Sequence, residues 1–263
     1  MQRPEVSRSG ALQGALLRLI ADADLRIVFQ PIIRLDELRV IGLEALSRPG
    51  RGSVFASAEE MFTAGEATGL LTSLESVARR EVLRSVSGWP ADTLLFLNVS
   101  PSALADPSTS EQILGALERT PALRPESLVI EITEQSSENA LVRCCAQRLR
   151  RMGFGIALDD LGAGAQDLQR VVDLSPDWIK IDRHLVRGVQ HDPNRRRLLG
   201  SLAGYARQAG ARVIAEGIEH ADELVTLRDL GVGYAQGFLL ARPSCSFHAA
   251  ARIATRQATL LAA

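Results

Sequence analysis

The chain has 263 residues, of which 46% are hydrophobic and 23% are charged, and its net charge at pH 7 is −1. This composition is typical of soluble globular proteins, and the near-zero charge argues against a nucleic-acid duplex or an anionic membrane surface as a partner. Arg18, Asp22 and Asp24 interrupt the apolar N-terminal segment, so neither a signal peptide nor a membrane-spanning helix fits there, and we expect a cytoplasmic protein.

The predicted elements begin with a short amphipathic helix around residues 11–21. Eight strand candidates follow, each a short apolar or β-branched run. In chain order they are RIVFQPII, VIGLEAL, LLFLNVS, LVIEIT, GIALDD, WIKID, RVIAEGI and GYAQGF. Segments with helical apolar spacing separate most of them, at residues 71–86, 140–152, 196–208 and 221–230. This alternation predicts an α/β fold with parallel strands joined by helical crossovers.

The first two strand candidates break that pattern. Only RLDELR, residues 34–39, separates them, and this is too short for a helical crossover, so we expect an antiparallel hairpin. No linker rich in Pro, Gly and Ser divides the rest of the chain. We therefore assign residues 1–21 to an N-terminal amphipathic helix or extension and residues 22–263 to one barrel domain.

The three cysteines are Cys144, Cys145 and Cys245. Their positions match neither a disulfide framework nor the spacing of a metal site. We expect them to be small core residues.

Polar residues recur toward the carboxyl end of each strand candidate. They are Gln30, Glu44, Asn98, Glu131, Asp159, Asp160, Lys180, Glu216 and Gln236. In a closed barrel the carboxyl ends of parallel strands converge on one mouth, where barrel enzymes hold their active sites. Taken singly, an Asn or Gln at such a position is more often a strand-end hydrogen bonder, and an Asp can cap the next helix. Their joint recurrence predicts one site.

Five of these residues are carboxylates, which would repel one another in a cleft unless cations lay between them. The candidate ligands are all oxygen donors, which favours Mg²⁺ or Mn²⁺ over zinc. The adjacent aspartates, Asp159 and Asp160, suggest two ions, because one carboxylate can bridge both while its neighbour binds only the second. Two such ions about 3.5–4 Å apart are a recurring device for phosphodiester hydrolysis. These residues alone would fit any metal-dependent barrel hydrolase of this kind.

An ordered series of motifs resembles the EAL family of cyclic di-GMP phosphodiesterases over about residues 25–243. The motifs are FQPI (29–32), EALSR (44–48), LNVSP (97–101), EITE (131–134), DDLGAG (159–164), KID (180–182), AEGIE (215–219) and QGFLLARP (236–243). The resemblance implies a modified (β/α)8 TIM-type barrel whose first strand is antiparallel to the rest. It also implies hydrolysis of cyclic di-GMP to linear pGpG.

The resemblance also implies a role for each site residue. The implied metal ligands are Glu44, Asn98, Glu131, Asp159, Asp160 and Glu216. Arg48 and Gln30 would hold the substrate, with Asp182 and Gln236 contributing, since a guanidinium matches the paired oxygens of a phosphate. Lys180, the single lysine of the chain, would place or deprotonate the attacking water, a role that Glu216 could share.

The loop after the aspartate pair departs from the family pattern. The family usually reads D-D-F-G-T-G-Y-S-S-L, whereas this chain has Leu161, Ala163 and then Ala165-Gln166-Asp167 at the altered positions. In the family this loop helps to arrange the metal site and the dimer contact, and Glu134 resembles the glutamate that steadies it. The difference leaves an alternative open, namely a weak or inactive cyclic di-GMP receptor or protein-interaction module. Homodimerisation and a separate sensory or cyclase partner are further expectations.

Overall fold

The structure, a computed structural model, describes residues 8–132, 139–162 and 167–262. Eight strands close into a barrel and follow one another around it in sequence order. They are β1 (Leu25–Arg34), β2 (Arg39–Pro49), β3 (Leu94–Val99), β4 (Leu128–Ile132), β5 (Gly155–Leu161), β6 (Trp178–Ile181), β7 (Arg212–Ala215) and β8 (Tyr234–Ala235). All eight strand candidates of the sequence are therefore strands of one barrel.

The first strand runs against the others. β1 pairs with β2 in an antiparallel register from Leu25 opposite Pro49 to Arg34 opposite Arg39, and it closes the barrel by antiparallel pairing with β8. Every other pair of neighbouring strands is parallel. The predicted hairpin and the modified barrel are confirmed.

Helices cross over between most of the parallel strands. Their bounds are α1 (Arg8–Asp22), α2 (Ala58–Ala67), α3 (Leu71–Ser85), α4 (Pro101–Ala105), α5 (Pro107–Arg119), α6 (Asn139–Arg151), α7 (Asp167–Leu174), α8 (Arg183–Val186), α9 (Pro193–Ala209), α10 (Ala221–Asp229) and α11 (Phe247–Ala262). Local signals fix several ends: Ser57 caps α2, Asp192 caps α9, and Gly210 ends α9 in the left-handed conformation. Within the described ranges, no helix is long and apolar enough to cross a lipid bilayer.

The inside of the barrel carries a layer of apolar side chains. Its members are Ile32, Ile41, Phe96, Val129, Ala157, Trp178, Ile214 and Tyr234, and all are at least nine-tenths buried. A larger cluster fills the space between the strands and the surrounding helices. On the outside, α1 packs on α2 and α3 through Leu16, Leu19, Met61 and Leu74. This packed apolar layer, called the floor, lies beneath the residues at the mouth of the barrel.

The expectation that the cysteines are core residues is wrong for Cys144 and Cys245, whereas Cys145 packs against the core. Cys144 and Cys245 are exposed, and Cys145 is half-buried. The reason at Cys144 is the phase of α6, whose buried face is defined by Val142, Ala146 and Leu149. Cys144 lies off that face.

Candidate functional site

A second layer of inward-facing residues lies directly above the apolar floor. Side chains two positions apart on a strand point to the same face, so a floor residue has a polar residue one layer nearer the mouth on every strand or strand end except β2, where a register irregularity puts Ile41 three positions from Glu44. Phe96 is followed in this way by Asn98, and Trp178 by Lys180. The whole layer consists of Gln30, Glu44, Asn98, Glu131, Asp159, Lys180, Glu216 and Gln236. The structure thus brings together one predicted polar residue from every strand or strand end.

Asp160, the ninth predicted residue, joins this layer through an irregularity in β5. The pairing register of β5 with β6 shifts between Leu158 and Leu161, and Asp160 has a φ of 58°, in the left-handed region. Consecutive residues of a regular strand would point to opposite faces. The irregularity instead lets carboxylate oxygens of Asp159, Asp160 and Glu216 lie within 4.8 Å of one another.

Lys180 lies at the centre of the carboxylates. Its Nζ is 2.8 Å from Glu131 Oε1, 2.8 Å from Glu216 Oε1, 2.9 Å from Asp159 Oδ1 and 3.4 Å from Glu44 Oε2. The lysine side chain is only 1% exposed. Burial disfavours its charge, but the surrounding carboxylates outweigh that cost and hold its pKa well above the ordinary value. The single lysine of the chain is therefore a buried ammonium.

Crowding and burial also raise the pKa values of three carboxylates, which disfavours their charged forms. Burial, together with the neighbouring charge of Glu44, raises the pKa of Glu131 well above its ordinary range. The pKa of Glu216 is raised to about 8, mainly by burial, although Lys180 opposes the shift. Burial and the adjacent Asp159 raise the pKa of Asp160 to about 6. The site holds more negative charge than its own groups neutralise, so it favours added cations.

A chain of amide side chains orients Glu44. Asn98 Nδ2 donates to Glu44 Oε1 at 3.0 Å, and Gln236 Nε2 donates to Glu44 Oε2 at 2.6 Å. Gln236 Nε2 also lies 3.1 Å from Gln30 Oε1, and Gln30 in turn donates to the Ala241 carbonyl at 3.2 Å. Burial opposes ionisation of Glu44, but Lys180 and these hydrogen bonds outweigh it, so its pKa lies below the ordinary value. Glu44 is therefore held ionised and in a fixed orientation.

The oxygen donors fit divalent cations. They form two groups, Glu44–Glu131–Asp159 and Asp159–Asp160–Glu216, in each of which one oxygen per residue lies within 4.8 Å of the others. Asp159 belongs to both. Glu131 Oε2 is buried and has no hydrogen-bond partner among the described residues, and a carboxylate oxygen in that condition is suited to a metal ion. When all five carboxylates are ionised, as metal ligands must be, the ammonium leaves four negative charges, which two divalent cations would balance.

The remaining predicted residues lie around this cluster or outside the described ranges. The Arg48 guanidinium is half-buried, and its Nη1 donates to the Ser47 carbonyl at 2.9 Å. Asp182 caps the short helix α8, where it accepts from the His184 backbone N at 2.7 Å and faces His184 Nδ1 at 2.5 Å. Glu134 falls in residues 133–138, which lie outside the described part of the chain.

A pocket with a volume of about 500 Å³ opens beside Asn98 and Asp160, between β2, β3, α2 and α3. Its wall contains Glu75, which accepts from Ser100 Oγ at 2.6 Å and whose pKa is raised by burial. It also contains Arg79, which is 3% exposed and donates to Gln112 Oε1 at 2.8 Å. Sequence reasoning missed these residues. The available signal was a pair of opposite charges one helical turn apart in α3, among positions that are otherwise apolar.

The sequence is similar to that of known proteins over most of its length. The family model described as "EAL domain" matches residues 13–243. The cyclic di-GMP phosphodiesterase PA2567 of Pseudomonas aeruginosa is 33% identical in an alignment of 225 residues that covers 82% of this chain and 38% of that relative. The chain spans less than two thirds of the length of such curated relatives.

Two solved structures share the architecture. The MucR phosphodiesterase of Pseudomonas aeruginosa in complex with cyclic di-GMP has a TM-score of 0.79 and 27% identity, and the match covers 89% of this chain and 97% of that one. A manganese and cyclic di-GMP complex of BlrP1 from Klebsiella pneumoniae has a TM-score of 0.75 and 28% identity, covering 84% and 56% of the two chains. With the family model matched over residues 13–243 and the same barrel in these relatives, this chain belongs to the EAL domain family.

Proposed function

We propose that this chain hydrolyses cyclic di-GMP to linear pGpG with the aid of two divalent cations, Mg²⁺ or Mn²⁺. The observation that carries the proposal is the pair of carboxylate groups at the barrel mouth that share Asp159. Two divalent cations supply activation of water and stabilisation of the attacking and leaving oxygens of a phosphodiester. Phosphodiesterase relatives with up to 33% identity support the substrate.

We assign the ligands by their grouping. Glu44, Asn98, Glu131 and Asp159 would hold one ion, and Asp159, Asp160 and Glu216 the other. The carboxylate groups and the unpartnered Glu131 Oε2 support this division. Asn98 is included because its Nδ2 donates to Glu44 Oε1 at 3.0 Å, and a flip of the amide would turn its oxygen toward the same group.

The substrate contacts follow from charge and position. Arg48 lines the pocket beside the carboxylates and would bind a phosphate oxygen pair, with Gln30, Gln236 and Asp182 bordering the same mouth. The pocket volume of about 500 Å³ falls in the range of small-ligand sites. Its wall offers the Glu75 carboxylate to the amino donor of a guanine and the Arg79 guanidinium to the O6 and N7 acceptors. The wall can therefore accept a hydrogen bond from the amino group of a guanine and donate to its O6 and N7.

Lys180 and Glu216 are the candidates for handling protons. Lys180 is a compact donor within 2.8 Å of Glu216 and Glu131, so it can hold a water and stabilise negative charge beside the ligands. The raised pKa of Glu216, about 8, suits a group that exchanges a proton near neutral pH. Glu134 keeps its proposed role of steadying the loop that follows β5.

The altered loop at residues 161–167 favours a second candidate, a cyclic di-GMP receptor that does not turn the molecule over. The complete set of proposed ligands favours hydrolysis instead. We further propose a cytoplasmic protein, a homodimer, and regulation by a separate sensory or cyclase protein. The division into an N-terminal helix, residues 1–21, and a barrel domain, residues 22–263, is likewise a proposal.

The test is product analysis with a matched inactive variant. Purified protein is incubated with cyclic di-GMP and Mn²⁺ or Mg²⁺, and pGpG is separated by chromatography. We expect the wild-type protein to form pGpG and Glu44→Gln to lose hydrolysis by orders of magnitude while keeping its melting temperature, because Glu44 lies at the mouth and not in the packed floor. Binding of cyclic di-GMP without pGpG formation would select the receptor, and normal turnover by Glu44→Gln would refute the ligand assignment.

A further inference from the structure

The same carboxylate side chains face the ammonium of Lys180 and would hold the proposed ions. Glu44, Glu131 and Asp159 each place an oxygen within 3.4 Å of Nζ, and these three residues also form one of the two ligand groups. Glu216, from the other group, lies at 2.8 Å. The strands β2, β4 and β5 and the end of β7 thus each direct one carboxylate at the same nitrogen.

One set of carboxylates cannot be arranged equally well around the ammonium and around a divalent cation. Mg²⁺ requires its oxygen ligands at about 2.0–2.1 Å in near-octahedral geometry, which draws the carboxylates together around a different centre. Two cations sharing one set of oxygens also repel each other. Lys180 cannot avoid the ions by turning its ammonium to solvent, because its side chain is only 1% exposed.

We propose that Lys180 is an internal counter-ion that holds the carboxylate cluster together and competes with divalent cations for its oxygens. The lysine therefore makes the chelated protein more stable and makes its affinity for metal lower than the ligands alone would give. This inference rests on the proposed divalent-cation site, but not on the hydrolysis of cyclic di-GMP. It differs from a purely catalytic role, which would leave stability and metal affinity unchanged.

The first test is thermal melting of Lys180→Met, which has a neutral side chain of similar length. Removing one partner of a buried ion pair leaves uncompensated charge and is strongly destabilising. We expect the chelated variant to melt roughly 6–20 °C below the wild-type protein. Saturating Mn²⁺ should close most of that gap, because the ions supply the missing positive charge.

The second test is calorimetric titration with Mn²⁺. Lys180→Met should bind Mn²⁺ at least about tenfold more tightly than the wild-type protein. Arg212→Met is the matched control, since it removes an exposed cation at the other end of the barrel, where Arg212 stacks over Trp178 at 4.8 Å from the ring centre. Its Mn²⁺ affinity should equal that of the wild-type protein.

A double variant keeps the test decisive if Lys180→Met does not fold. Lys180→Met with Glu131→Gln removes one charge of each sign, so it should fold and recover much of the melting temperature of the chelated wild-type protein. A direct readout also exists, because lysine labelled with ¹³C and ¹⁵N gives one side-chain signal in a chain with one lysine. That signal should shift when Mg²⁺ is added.

Three results would overturn the inference: Lys180→Met melting with the wild-type protein after chelation, unchanged or weaker Mn²⁺ binding by that variant, or a lysine signal that Mg²⁺ leaves in place. A protein that binds Mn²⁺ but does not cleave cyclic di-GMP would refute the proposed function while leaving this inference supported. A wild-type protein that binds no Mn²⁺ would refute the competition, and the melting of the chelated variants would still report on the counter-ion role.

Discussion

Substitutions of Asp160 distinguish two effects at the point where β5 departs from regular geometry: the left-handed backbone conformation and the charge of the side chain. Asp160 has a φ of 58°, and its carboxylate completes the group with Asp159 and Glu216. Asp160→Asn and Asp160→Ala both remove the charge. Asparagine tolerates the left-handed region, whereas a residue such as alanine meets a cost of about 1–2 kcal/mol there. The two variants should therefore lose hydrolysis alike but differ in stability.

The magnitude follows from that backbone difference. Asparagine recovers part of the cost, so we expect Asp160→Ala to be less stable than Asp160→Asn by about 1 kcal/mol, or a melting temperature lower by about 2–4 °C. Asp160→Asn itself should melt at or above the wild-type temperature after chelation, because burial and Asp159 raise the pKa of Asp160 to about 6 and its charge is unfavourable above that pH.

The assay combines thermal melting of chelated protein with the rate of pGpG formation at saturating Mn²⁺. Asp160→Gly serves as the control, because glycine adopts positive φ without steric cost and should be no less stable than Asp160→Ala even though it lacks a side chain. Alanine proving as stable as asparagine would show that the left-handed conformation is not what places this carboxylate. Near-normal hydrolysis by Asp160→Asn would remove the residue from the ligand set.

Three further predictions concern other parts of the site. Gly237→Ala should lower the free energy of unfolding by about 1–3 kcal/mol or more, because its Cβ would lie 2.2 Å from the Ile218 backbone. Gly233→Ala is the control, since nothing lies within 4 Å of its Cβ, and its free energy of unfolding should stay within about 1 kcal/mol of the wild-type value. Equal melting temperatures for the two variants would contradict the packing at Gly237. In chelated protein, Glu216 with its pKa of about 8 keeps a proton that the unfolded chain loses above about 4.5, so the free energy of unfolding should fall as pH rises from about 4.5 to 8. In thermal melts over that pH range, Glu216→Gln should show a smaller loss of stability with rising pH. A pH dependence equal to that of the wild-type protein would contradict the raised pKa of Glu216. Lys180→Arg should lower kcat severely with little change in cyclic di-GMP affinity, since a guanidinium keeps the charge but is larger and planar. Wild-type kcat would show that any cation suffices.

The mouth residues could be predicted from the sequence because they repeat one local rule on seven of the eight strands. Each of these strands carries an apolar residue that faces the barrel floor and, two positions nearer the mouth, a polar residue, as with Val129 and Glu131 or Ile214 and Glu216. On β2 the spacing from Ile41 to Glu44 is three positions. Parallel pairing then brings those ends together without further information. The reversed first strand was equally readable, because residues 34–39 leave no room for a crossover.

Other features depend on tertiary contacts that a linear pattern does not contain. The pair Asp159-Asp160 reads as an ordinary strand end, and only the register shift against β6 shows how both carboxylates reach the mouth. Glu75 and Arg79 lie among apolar positions of α3, and nothing in that periodicity indicates that they line the pocket beside Asn98. The position of Cys144 was mispredicted because composition alone does not fix the phase of a helix.

The most direct test of the account is the initial rate of pGpG formation by chelator-stripped protein as Mn²⁺ or Mg²⁺ is added back. We predict no turnover of cyclic di-GMP in the presence of the chelator and recovery of turnover on metal addition, with two ions bound per chain at saturation by calorimetry. Turnover that persists in excess chelator, or no pGpG at any metal concentration from protein with a normal melting transition, would contradict the proposal that the carboxylates around Asp159 form a two-metal phosphodiesterase site.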